Sequence, residues 1–225
     1  MLAHVAGRSD IRFGLYLRPS RAMSRAQVEI HDLVARQYGS MTAGRYMPHA
    51  TIKGFYRSDA SVAQMVASLD PVLGVLSPFE VVNGGAISFG GKGTVVVDIH
   101  HDKEGNPNPA MQRLHRDVID ALLPLVHPDC DFTPHEPLAE AFHAHLTLMM
   151  GDIPRGLGPE ILAFLQDAGP IGPPAFSAER CHLVALRSET WNDRWWTTMQ
   201  WTLLHSWKLG GESLTVTDPS WNTTN

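Results

Sequence analysis

The chain has 225 residues, 44% of them hydrophobic and 18% charged, with a formal net charge of −5. Such a composition can bury a core and excludes general disorder. Net acidity argues against broad binding to long nucleic acid, which rests on many Lys and Arg contacts to phosphates, but leaves open a small anionic ligand at one local site.

No run approaches the roughly 18 apolar residues of a membrane-spanning helix, so no membrane partner is expected. The first ten residues include Arg8 and Asp10 and lack the apolar stretch of an export signal. Cys130 and Cys181 are the only cysteines, and two cysteines make neither a disulfide framework nor a paired-cysteine zinc site. A cytoplasmic protein is expected. One unit over 1–225 is expected too, with a core of about 11–209 and a loosely held polar tail at 210–225.

In chain order, Ile11 to Leu17 alternates and meets Pro19, which predicts a strand. Apolar residues at helical spacing predict a helix from about 23 to 38, stopped at Gly39. His49 to Phe55 predicts a second strand, in which odd-numbered side chains share one face. A helix is expected over 61–76. Strands at 79–89 and 94–99 follow, joined by the glycine-rich turn 90–93. The stripe Leu114, Val118, Ala121, Leu122 and Leu125 predicts a helix over 110–126, weakened by Pro124. Residues 128–140 hold several prolines and predict a loop. A strand at 145–150, a helix at 158–168 and a hairpin of strands at 179–187 and 197–209 complete an α+β chain with mainly antiparallel pairing.

Two short segments repeat. His49-Ala50-Thr51-Ile52 and His145-Leu146-Thr147-Leu148 both read His-x-Thr-apolar on a predicted strand. Two-residue spacing sets imidazole and hydroxyl on one face, about 7 Å apart. If the strands face each other, four polar groups converge. Attack at phosphorus needs a base for the incoming hydroxyl and an acid for the departing oxygen, and histidine serves either role near neutral pH. Threonine hydroxyls can hold the non-bridging oxygens as charge builds.

The paired motifs, the opening Phe13-Gly14-Leu15-Tyr16-Leu17, the first motif within Pro48 to Ile52, Leu183 to Ser188 and Trp201-Thr202-Leu203 together resemble the 2H phosphoesterase superfamily, which includes 2′-5′ RNA ligase-like proteins and cyclic phosphodiesterases. The resemblance covers most of residues 11–209. It implies a bilobed α+β fold with pseudo-twofold symmetry, two mainly antiparallel sheets facing a central cleft and helices packed outside. It also implies cleavage of 2′,3′-cyclic phosphate or 2′-5′ bonds in RNA ends, oligonucleotides or cyclic nucleotides, without a metal or other cofactor. His49 and His145 would be the acid and base pair, with Thr51 and Thr147 as phosphate ligands. The symmetric motifs do not assign base and acid; the lean is to His145 activating water and His49 protonating the leaving oxygen. The expected partner is a nucleotide or short RNA, and the expected state a monomer.

Further substrate contacts are expected from Tyr16, Arg45, Tyr46, Phe142 and His143, and from Lys53 on the odd-numbered face. His143 could equally orient His145. Five of the six tryptophans (Trp191, Trp195, Trp196, Trp201, Trp207) either stack on a base or, more in keeping with a closing hairpin, pack it against the sheet. His100-His101-Asp102, His135-Glu136 and His143 match no strong metal spacing, and HExxH is absent. Gly90-Gly91-Lys92-Gly93-Thr94 fails the phosphate-loop pattern because Gly93 follows the lysine. Asn222-Thr223-Thr224 is a glycosylation sequon by pattern only. Two other readings stand beside the metal-free esterase: a nucleotide-binding module with little turnover, and a metal-dependent hydrolase using the other histidines.

Overall fold

The computed structural model describes residues 11–90, 93–130, 142–192 and 194–216. The sequon and the His135-Glu136 pair lie outside them. Ten strands and four α-helices are built from them, in the order β1 (Ile11–Arg18), α1 (Arg21–Tyr38), β2 (Ala50–Tyr56), α2 (Val62–Leu73), β3 (Phe79–Val82), β4 (Ala86–Phe89), β5 (Thr94–Asp98), α3 (Pro109–Leu122), β6 (His145–Met149), α4 (Gly158–Asp167), β7 (Ala175–Ala178), β8 (Arg180–Arg187), β9 (Gln200–Lys208) and β10 (Ser213–Thr215).

The helices start and stop where their ends find hydrogen-bond partners. Ser20 Oγ accepts from the Met23 amide, and Gly39 closes α1 in the left-handed region at φ 78°. Ser61 and Gln64 form a reciprocal capping box at α2. Asn108 Oδ1 accepts from the Ala110 and Met111 amides ahead of Pro109. The expected helix over 110–126 stops at Leu122 and tightens into a 3₁₀ turn over Leu123–Leu125, because Pro124 has no amide hydrogen to continue the α ladder.

Eight strands form one sheet in the order β10-β9-β8-β1-β2-β6-β5-β4, while β3 and β7 pair separately. The strand expected over 79–89 is therefore two strands in different sheets. Asn83 makes the crossing: its Nδ2 donates to the Ile171 and Pro173 carbonyls at 2.7 and 2.9 Å, and its Oδ1 accepts from Gly85. Gly85 takes φ 83°, which an L side chain rarely adopts. The expected two facing sheets are joined along an edge. β2 and β6 meet at a single register pair, Ala50 with Leu146. On one side of that seam lie β1, β8, β9 and β10; on the other lie β5 and β4.

One face of the sheet is covered by the helices. Ile11, Phe13, Leu15 and Leu17 of β1 point into that core with Met65, Leu69, Leu114 and Val118. The opposite face holds the second apolar cluster, Tyr16, Val184, Leu186, Trp195 and Met199. Helix α1 is tied to β6 and α3 to β2: Gln27 and His31 donate to the Thr147 carbonyl, and His115 donates to the Ile52 carbonyl. β10 runs into the stretch expected to be a loose tail, pairing with β9 from Ser213 to Thr215. Among the described residues no helix is long and apolar enough to cross a membrane.

Candidate active site

Counting outward from the Ala50–Leu146 pair, the antiparallel register sets His49 opposite Thr147 and Thr51 opposite His145. Each histidine thus faces the other motif's threonine. All four residues line one cleft of about 340 Å3, at the lower end for a small-molecule site.

Each motif ends in a β-bulge at its fourth residue. The β1–β2 register gains an extra residue between Thr51 and Lys53, at Ile52, and the β5–β6 register gains one between Thr147 and Met149, at Leu148. A bulge puts two successive side chains on the same side. Ile52 and Lys53, like Leu148 and Met149, are accordingly buried at 2% exposure or less. Strand alternation alone places Lys53 beside Thr51 in the cleft; the bulge turns it instead to the helix side, where its Nζ lies 5.6 Å from the Tyr56 ring centre. Gly54 and Phe55 line the cleft in its place.

The imidazoles are held alike. His49 Nδ1–H donates to the Met47 carbonyl at 2.7 Å and His145 Nδ1–H to the His143 carbonyl at 2.8 Å. A carbonyl only accepts, so the hydrogen is on Nδ1, and each neutral ring keeps its lone pair on Nε2. Burial pushes the His49 pKa down to about 4, aided by the nearby His145 and His31 and opposed by the Met47 carbonyl. Burial also lowers that of His145, aided by the nearby His143 ring and opposed by the His143 carbonyl and, least of the four, by the charge of Asp98.

Asp98 is the register partner of His145 on β5. Its carboxylate accepts from the His100 amide, His101 Nδ1–H and His143 Nε2–H at 2.9, 2.9 and 3.0 Å. Burial alone would raise its pKa; these bonds and the neighbouring histidines hold it below the usual carboxylate value. His100 and His143 stack at 4.4 Å. Although three histidines surround Asp98, no group of three or more His, Cys, Asp or Glu among the described residues is arranged to hold a metal ion.

Of the other expected contacts, Tyr16 and Tyr46 line the cleft. The Tyr16 ring meets His49 edge-on at 4.7 Å. It lies back over Gly14, where any Cβ would come within 2.6 Å of the ring, which explains a glycine inside a central strand. The Tyr46 hydroxyl is buried without a partner, and burial raises its pKa well above that of a free phenol. Arg45 points away, donating to the Thr197 carbonyl from an exposed position. Phe142 is no substrate contact: it is buried in the core, stacked on His115 at 3.8 Å. The His143 side chain is bound to Asp98, and its carbonyl orients His145.

Further residues complete the cleft. Phe55, Trp195 and Tyr46 form an aromatic wall, with Phe55 and Trp195 edge to face at 4.9 Å and Tyr46 stacked on Phe55 at 6.2 Å. Trp191 stacks behind Trp195. Two of the remaining tryptophans are tied into the fold: Trp207 is buried and donates to Asp70 at 2.7 Å, and Trp201 donates to the Arg45 carbonyl. Gln27 reaches the cleft from α1. The loop carrying Tyr46 and Met47 is held by Asp152, which accepts from Ser40 Oγ and the Met41 and Thr42 amides.

The model of the 2′-5′ RNA ligase superfamily matches residues 20–188, a span that includes both His-x-Thr motifs. Among solved structures, TT0787 of Thermus thermophilus is similar with a TM-score of 0.59 at 14% identity, covering 89% of this chain and 99% of that one. E. coli LigT in apo form is similar with a TM-score of 0.51 at 16% identity, covering 90% of this chain and 100% of its own, and LigT complexed with 3′-AMP gives the same values. At these identities the likeness is one of fold. No curated protein matches the sequence.

Proposed function

This chain belongs to the 2′-5′ RNA ligase superfamily of 2H phosphoesterases, and from that membership we propose that it hydrolyses 2′,3′-cyclic phosphate or 2′-5′ phosphodiester bonds in RNA ends, short oligonucleotides or cyclic nucleotides. The observation that carries the proposal is the crossed arrangement of two His-x-Thr motifs about one strand pair, with both imidazoles held through Nδ1.

In the proposed step His49 Nε2 takes a proton from water as the water oxygen bonds to phosphorus. Thr51 and Thr147 hydroxyls donate to the non-bridging oxygens as negative charge builds there. Protonated His145 gives its Nε2 proton to the departing ribose oxygen as the P–O bond breaks. His49 ends protonated and His145 neutral, and exchange with solvent resets both. This assignment reverses the lean taken from the sequence: burial lowers the pKa of both imidazoles, to about 4 for His49, and beside His145 alone a carboxylate, Asp98, partly offsets it. With the 5′-hydroxyl of a second RNA in place of water, the same steps would join that hydroxyl to a cyclic phosphate as the ring P–O bond breaks, so ligation is part of the proposal. No step uses a metal ion.

The aromatic wall of Tyr46, Phe55 and Trp195 suits a nucleobase, whose flat face stacks on such side chains. LigT structures with ATP and with 3′-AMP support a nucleotide ligand. The deciding experiment is turnover of 2′,3′-cyclic mononucleotides, 2′-5′ oligoadenylates and cyclic dinucleotides in EDTA, by wild type, His49→Ala and His145→Ala. Turnover of one class that falls about 10²- to 10⁴-fold in both folded variants supports the proposal. Binding of nucleotide with no turnover would instead favour a binding module, and loss of activity in EDTA a metal-dependent hydrolase.

A further inference from the structure

Three basic residues stand in one row across the sheet beside His49. Arg18 on β1 is the register partner of Arg180 on β8, which is the partner of Lys208 on β9. Carrying the β1–β2 register one step past Leu17–Ala50 sets Arg18 opposite His49. Strands lie about 4.8 Å apart, so the row His49, Arg18, Arg180, Lys208 spans about 14 Å of backbone. Arg18 lies two residues from Tyr16, which lines the cleft, so the row is on the cleft side of the sheet.

The row carries a cost in the empty protein. Like charges directly opposite on neighbouring strands repel. Among the described residues neither arginine nor Lys208 makes an ion pair, and exposed Glu179 is the one carboxylate whose charge reaches Arg18. His182, next to the row on β8, shows the field: after burial, Arg18 and Arg180 are what hold its pKa down to about 4. In a chain of net charge −5, such a concentration of positive charge on the cleft side suits an anion adjacent to the one being cleaved. Arginine's planar fork suits phosphate oxygens.

We infer that Arg18, Arg180 and Lys208 form a subsite for a second phosphate, so that the preferred substrate is a short oligonucleotide whose next phosphate lies along this row. The inference rests on the phosphodiesterase reading of the cleft and adds the length and polarity of what it accepts. The row is short, so it favours one further phosphate and not long RNA.

The test compares a 2′,3′-cyclic mononucleotide with a trinucleotide ending in the same cyclic phosphate, and with that trinucleotide carrying an uncharged methylphosphonate at the adjacent linkage. Wild type is expected to prefer the charged trinucleotide in kcat/KM and to lose that preference with the neutral linkage. Arg180→Gln with Lys208→Gln should lower kcat/KM for the charged trinucleotide about tenfold, with less than a twofold change for the mononucleotide. The log–log salt slope should shrink by about 0.7 for each phosphate contact removed. Equal losses on both substrates, or indifference to the neutral linkage, overturn the subsite. If wild type cleaves neither substrate, the 2′,3′-cyclic phosphate part of the phosphodiesterase reading fails. The subsite is then judged by fluorescence anisotropy with a labelled 3′-phosphorylated trinucleotide: weaker binding to the double variant supports it and unchanged binding overturns it.

Discussion

Ala50 and Leu146 form the single register pair between β2 and β6, and the candidate active site is arranged around them. An approximate twofold relation through this pair exchanges His49 with His145, Thr51 with Thr147, and the bulge at Ile52 with that at Leu148. What breaks the symmetry is charge. The strand position beside His145 is Asp98, whereas the corresponding count beside His49 reaches Arg18. Burial lowers the pKa of both imidazoles, and only beside His145 does a carboxylate oppose it.

The first prediction concerns pH. His49 acts neutral and is held near 4, so kcat/KM should fall as pH drops through about 4. His145 acts protonated and its pKa lies below 6.5, so kcat/KM should fall again as pH rises through that lowered value. The profile is a bell with its maximum on the acid side of 6.5. His49→Gln should remove the acid limb and His145→Gln the alkaline one from the residual activity. An optimum at about pH 8 would sink the assignment.

Thr51→Val and Thr147→Val keep the branched shape of the side chain and delete only the hydroxyl. Each should lower kcat by about 10²-fold, in line with loss of one donor to a developing oxyanion. Thermal unfolding should stay near the wild-type temperature. A large loss from one and none from the other would show that the motifs are not functionally equivalent.

Asp98→Asn removes the carboxylate charge that favours protonated His145. The alkaline limb of the pH profile should move to lower pH, while the acid limb set by His49 stays in place. Titration of the His145 ring by NMR in the two proteins measures this directly.

Trp195→Ala opens the aromatic wall. KM for cyclic nucleotides should rise about tenfold, the size of effect expected from losing one stacking partner, with kcat little changed. A ribose cyclic phosphate without a base should be processed equally by both proteins. If both substrates suffer alike, Trp195 is a packing residue.

Asn83→Ala deletes three hydrogen bonds at the crossing from β3 to β4. At about 1 kcal/mol for each bond, unfolding free energy should fall by about 2–3 kcal/mol. Urea denaturation reads this out as a lower midpoint at unchanged slope. The pH profile of activity should keep its shape.

Much of the site is legible in the sequence because strand geometry is local. His-x-Thr on a strand puts both side chains on one face, and a repeated motif separates His49 and His145 from the chain's other histidines. Helix ends are legible for the same reason: Ser20, Ser61, Asn108 and Gly39 satisfy groups within a few residues of themselves. Gln27 is not legible as a cleft residue, and Trp195 is legible only as one of five tryptophans that either stack on a base or pack the hairpin. Nothing in their neighbourhoods differs from ordinary core, and only a 3₁₀ turn in one case and helix packing in the other bring them to the cleft.

The sequence by itself determined the four helices, seven of the strand segments in order, the capping of the helices and the four polar residues of the paired motifs, because these depend on contacts within a few residues; it merged β3 with β4 and offered no sign of β7 or β10. Tertiary structure decided which strands pair. It sent Phe79–Val82 and Ala86–Phe89 to different sheets, turned Lys53 from the cleft to the core, and aligned Arg18 with Arg180 and Lys208. Register and bulges depend on hydrogen bonds to a distant strand, and one inserted residue reverses the face of every side chain beyond it.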